Sequence, residues 1–79
     1  MKIFRFRTSL TDRHQVEEIS PLLKSEKSIS KWNVDLEGEK AVLSVSGEDL
    51  DPAVVKKLLS QRGFSAEIFH VIAIGGHDL

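Results

Sequence analysis

The chain has no cysteine. That excludes a disulfide framework and any site built on thiolates. A chain of 79 residues without such staples must hold itself together by packing alone. Aromatic residues are scarce as well. With four Phe and one Trp, most of the core falls to aliphatic side chains. No apolar run approaches the roughly 20 residues that span a bilayer. The start Met1-Lys2-Ile3-Phe4-Arg5 lacks the apolar stretch of a secretory signal. The expectation is a cytoplasmic protein with no membrane partner. Neither sign of charge predominates. A formal net charge of −1 gives no global attraction to nucleic acid or anionic lipid. There is no glycine-rich phosphate loop, because Gly75-Gly76 precedes no helix. No serine, histidine and carboxylate are tied by a nucleophile motif, so an enzyme is not expected. What is present is an ordinary globular composition, 41% hydrophobic and 29% charged. It makes one domain over residues 1–79, with a core at 2–71 and a C-terminal extension or tail at 72–79.

Hydrophobic period separates the elements. Lys2 to Thr8 alternates, with Phe4, Phe6 and Thr8 on one side and Ile3, Arg5 and Arg7 on the other, which predicts a strand. Asp12 followed by Gln15 has capping-box spacing, and Val16, Ile19 and Leu23 continue at helical spacing to about Lys24. Glu17 and Glu18 are expected in the early turns, where negative charge suits the helix dipole. Pro21 should kink this helix or bring it to an early end. Ile29 to Leu36 carries Trp32, Val34 and Leu36 on one face, a second strand. Glu37-Gly38-Glu39-Lys40 is a hairpin connection into a third strand, Ala41 to Ser46, whose buried face the pattern leaves open. Asp51 caps and Pro52 begins a second helix with Val54, Val55, Leu58 and Leu59 as its apolar stripe, and Gly63 ends it. Phe64 to Val71 is a fourth strand that Val71 to Ile74 can prolong. The order βαββαβ predicts an α+β, ferredoxin-like sandwich, with two helices on one face of a four-stranded antiparallel sheet.

Three segments carry a family resemblance. The strand, loop and helix of Lys2 to Ile19 have the layout of a metal loop. Ile29-Ser30-Lys31-Trp32-Asn33-Val34-Asp35-Leu36 resembles a second strand ending in Val-Asp-Leu, and Leu58-Leu59-Ser60-Gln61-Arg62-Gly63-Phe64-Ser65-Ala66-Glu67 resembles a helix end turning into the last strand. Together they make the chain similar to the heavy-metal-associated (HMA) domain family of small copper chaperones, over residues 2 to 69. The resemblance implies a site at the loop Thr8-Ser9-Leu10-Thr11-Asp12-Arg13-His14-Gln15-Val16, where the family has a C-x-x-C pair. Here Asp12 and Gln15 stand at those two positions. Cu(I) is soft and takes soft sulfur ligands, whereas a carboxylate is hard and an amide is a poor donor. The implied role is therefore metal trafficking with its thiolate site degenerate, leaving a protein-interaction or self-association module and no bound cofactor. Phe64 holds the aromatic position that, in the family, packs under the loop.

Competing readings attach to the same residues. Asp12 and Gln15 also fit a helix cap, which explains both residue types by one mechanism. Asp12 with His14, helped by His77 or Asp78 in the tail, is a candidate set for a harder metal ion. Arg7 and Arg13 near the loop are candidates for steering an acidic protein partner. Lys2, Arg5, Arg7 and Lys31 lie toward the open sheet face, but Phe4 and Phe6 point the other way, so nucleic-acid binding is not expected. Trp32 is read as a core residue in phase with Val34 and Leu36. A regulatory small-ligand-binding domain of the same fold is the remaining alternative.

Overall fold

The computed structural model describes residues 2–73. Six elements follow in the expected order: β1 (Lys2–Thr8), α1 (Arg13–Ser25), β2 (Lys31–Asp35), β3 (Ala41–Gly47), α2 (Pro52–Ser60) and β4 (Ala66–Ala73). The strands form one antiparallel sheet in the order β2-β3-β1-β4. This is the ferredoxin-like arrangement, with the first and third strands central.

Period two decides which side of each strand is buried. In β1, Phe4, Phe6 and Thr8 are buried, while Arg5 and Arg7 are exposed. Pairing of Phe6 with Leu43 and Phe4 with Val45 resolves the face of β3: Ala41, Leu43, Val45 and Gly47 point inward. Both helices cover this same side. Val16, Ile19 and Leu23 of α1 and Val55 and Leu59 of α2 join Phe4, Phe6, Leu43 and Val45 in one cluster, closed by Leu10 and Leu50. Trp32 and Val34 of β2 are half-buried against that cluster, as edge-strand residues rather than central ones.

Helix α1 extends about as far as expected, and the bounds of two strands are corrected. Helix α1 runs through Pro21 to Ser25. Pro21 is exposed, so the Glu17 carbonyl that loses its helical partner faces water, while Ile19 and Leu23 anchor the turns on either side. The helix begins at Arg13, which puts Glu17 and Glu18 beyond the first turn; that turn holds no acidic residue. Strand β2 is shorter than Ile29 to Leu36, because ladder pairing with β3 spans only Lys31 to Asp35. Strand β4 starts at Ala66 rather than Phe64, because the helix-ending turn uses the residues before it. The Phe64 N–H donates to the Leu59 carbonyl and the Gly63 N–H to the Ser60 carbonyl, both at 3.0 Å. Gly63 supplies the positive φ of 82° that this Schellman-type closure requires. At its far end β4 continues through Ile72 and Ala73, paired with Ile3 and Lys2. Ile74 and the rest of the proposed tail lie outside the described residues.

Gly47 is the other glycine with a packing reason. A Cβ there would collide with the Ser28 carbonyl oxygen and stand 3.2 Å from Leu50 Cβ. The chain entering β2 crosses the end of β3 at this point, and the Ser30 N–H donates to the Ser46 carbonyl at 2.7 Å.

Candidate functional site

The loop between β1 and α1 is organised by side-chain hydrogen bonds. Asp12 has extended backbone geometry and is the N-cap of α1. Its Oδ1 accepts from the Gln15 N–H at 3.0 Å. Gln15 reaches back: its Oε1 accepts from the Thr11 N–H at 2.7 Å and from the Thr11 hydroxyl at 3.1 Å. This is a capping box displaced by one residue, since the returning side chain takes the N–H of Thr11 rather than that of Asp12. Asp12 and Gln15 are therefore both engaged in holding the first turn of the helix.

A second set of bonds ties the loop to distant chain. Thr8 is 3% exposed. Its hydroxyl donates to the Ala41 carbonyl at 3.1 Å and accepts from the Leu10 N–H at 3.3 Å. Ser9 and Ser65 exchange bonds across 56 residues of sequence: the Ser65 N–H donates to Ser9 Oγ at 2.9 Å, and the Ser9 N–H to the Ser65 carbonyl at 3.1 Å. Phe64, next to Ser65, is half-buried against the core. Sequence reasoning missed Thr8, Ser9 and Ser65 as loop supports. Thr8 carried only a strand-phase signal, and nothing local connects Ser9 with Ser65.

Arg7 and Arg13 border different surface depressions. Arg7 borders a shallow cleft of about 540 Å³ with Ser9, Thr11, Lys40, Lys56 and Glu67. Arg13 borders a different depression, with Val16, Trp32, Val34 and Leu36. The Arg7 guanidinium lies over the Phe69 ring, 4.4 Å from its centroid, a cation–π contact. His14 is exposed in the first turn of α1, two residues after Asp12. Among the described residues, no group of three or more His, Asp or Glu side chains is placed to hold a metal ion. His77 and Asp78 lie outside the described residues.

The loop, cap and sheet define a ferredoxin-like domain whose first helix start is held by the carboxylate of Asp12 and the amide of Gln15. Solved structures of copper-handling domains share this fold. The yeast copper transporter domain CCC2A, solved in apo and Cu(I)-loaded states, superposes with a TM-score of 0.76 at 17% identity, covering 89% of this chain and 97% of that one. The first domain of the human copper chaperone for SOD1, CCS, in its Cu(I)-loaded form, gives 0.65 at 20% identity, covering 84% of this chain and 89% of that one. The apo HMA domain of a copper chaperone for superoxide dismutase gives 0.65 at 19% identity, covering 100% of this chain and 76% of that one. No family model matches the chain, and no curated protein matches it in sequence. Among the described residues no helix is long and apolar enough to cross a membrane.

Proposed function

We propose that this protein is an HMA-like binding module in which soft-metal capture has given way to protein–protein interaction. The observation that carries the reading is the reciprocal bonding of Thr11, Asp12 and Gln15 at the start of α1. A copper-chaperone loop presents two thiolates to Cu(I). Asp12 and Gln15 do not fit that cargo, because a hard carboxylate and a neutral amide lack the polarisable sulfur a soft ion selects. Asp12 with His14 offers only two donors to a harder ion, too few for a closed site. The reading is of a cytoplasmic binding protein, not an enzyme, whose partner is a protein or a second copy of itself. Phe64 acts within it as a packing support for the loop, and Arg7 and Arg13 as charged contacts at two separate surfaces.

Amide NMR of the native protein tests this. Micromolar Cu(I), Zn(II), Ni(II) or Cu(II) is expected to leave residues 9 to 16 unshifted. Saturable shifts confined to that segment would overturn the proposal in favour of a metal binder using Asp12 and His14. Shifts there on adding free amino acids would instead favour a small-ligand regulatory domain.

A further inference from the structure

Strand β4 is an edge of the sheet, and its outer side has no strand partner among the described residues. An edge strand of this kind presents unpaired N–H and C=O groups, and natural edges are ordinarily protected by charge, proline or short length. β4 has little of that protection. It runs for eight residues, and from Ile68 to Ala73 it carries no carboxylate, ammonium or guanidinium and no proline. The large hydrophobic side chains exposed among the described residues are both on it: Phe69 at 39% and Val71 at 51%.

The strand also holds an irregularity that bears on what can pair with it. Its register against β1 shifts between Phe6 and Arg5, opposite Ile68 and His70, so Phe69 is an inserted residue. Ile68 and Val71 sit opposite the buried Phe6 and Phe4, on the helix side. Glu67, His70 and Ile72 sit opposite Arg7, Arg5 and Ile3, on the open side. Phe69 is on the open side too, under the Arg7 guanidinium. From Glu67 to Ile72 the faces therefore read open, helix, open, open, helix, open. This pattern is the same in both directions about the Phe69–His70 bond.

Side chains directly opposite in an antiparallel pair share a face, and a slip of one residue exchanges every face. A regular strand laid along β4 keeps its faces matched only by leaving one residue of the bulge unopposed, as β1 leaves Phe69. A second β4, antiparallel about a two-fold axis between Phe69 and His70, keeps its faces matched with every residue from Glu67 to Ile72 opposed. Ile68 of each copy then meets Val71 of the other on the helix side. Phe69 meets His70, and Glu67 meets Ile72, on the open side. The interface is isologous, the usual kind for a symmetric dimer.

We infer that the β4 edge is a self-association surface that joins two copies of this chain into one continuous eight-stranded sheet with the two bulges face to face. The inference rests on the interaction-module reading above and names its partner. Sedimentation equilibrium of the full chain from ~10 µM to ~1 mM spans the range of weak dimers. A reversible monomer–dimer equilibrium is expected, with Val71→Lys weakening it by about tenfold or more while the circular dichroism stays native. Hydrogen exchange on the native chain supplies a measurement free of any folding defect in the variant. Amides of residues 67 to 72 should gain protection as concentration rises. A monomer throughout that range, or a dimer whose protection lies away from β4 and which Val71→Lys leaves intact, overturns the inference. Those results leave the interaction-module reading standing, since that reading falls only to ligand-dependent shifts at residues 9 to 16.

Discussion

Placing cysteine at positions 12 and 15, Asp12→Cys with Gln15→Cys, tests what those side chains do and what the surrounding scaffold permits. The apo variant loses the bond from the Gln15 N–H to Asp12 Oδ1 at 3.0 Å and the two bonds from Thr11 to Gln15 Oε1 at 2.7 and 3.1 Å. Loss of an N-cap costs about 1 kcal/mol. The Gln15 bonds are exposed, so water replaces them, and their loss adds roughly 0.5 kcal/mol. For a domain of this size each kcal/mol lowers the melting temperature by about 4–8 °C, so a fall of roughly 6–12 °C is expected for the apo double variant. Cu(I) should reverse it. A ligand that binds only the native state stabilises by about 2.7 kcal/mol at one hundred times its dissociation constant, more than the cap supplied. The assay is thermal denaturation followed by circular dichroism under anaerobic reducing conditions, with and without buffered Cu(I), on the native chain and the double variant. A native-like melting temperature for the apo variant would refute the capping role. A fall that Cu(I) does not reverse would refute the claim that donor chemistry alone separates this loop from a soft-metal site.

Other substitutions probe the frame around the loop. Thr8→Val keeps shape but strips the hydroxyl that serves the Ala41 carbonyl and the Leu10 N–H; urea denaturation should show a loss of about 1–3 kcal/mol, the penalty of buried groups left unpaired. Gly47→Ala drives a methyl into the Ser28 carbonyl at a buried position, and should destabilise by about 1–3 kcal/mol or more in the same assay. Pro21→Ala returns an N–H to the interior of α1 at an exposed site; a gain of about 1 kcal/mol is expected, part of the helix penalty of proline being offset by the freer unfolded chain.

How much was legible follows the range of each signal. Phe4, Phe6 and Thr8 revealed the inner face of β1 because strand side chains alternate strictly, and the structure buries those three. Asp12-x-x-Gln15 and Asp51-Pro52 revealed two helix starts because capping is settled within four residues, and both aspartates accept backbone N–H bonds where expected. Pro21 left the end of α1 open because its helix penalty is local, whereas Ile19 and Leu23 are held by packing from other elements and the helix runs on to Ser25. The support given to the loop by Ser9 and Ser65 had no sequence signal, since it depends on β1 and β4 lying side by side.

The order of its parts, the inward-facing residues of β1 and both helices, the helix caps and the want of sulfur at positions 12 and 15 were determined by this sequence alone. Each is a matter of residue type and spacing within one or two turns of chain. Which face of β3 is buried, the backbone contact that only Gly47 admits, and the bulge that turns Phe69 out beneath Arg7 were decided by the tertiary structure. Those depend on the register between strands far apart in sequence, and register is set by how whole faces pack together.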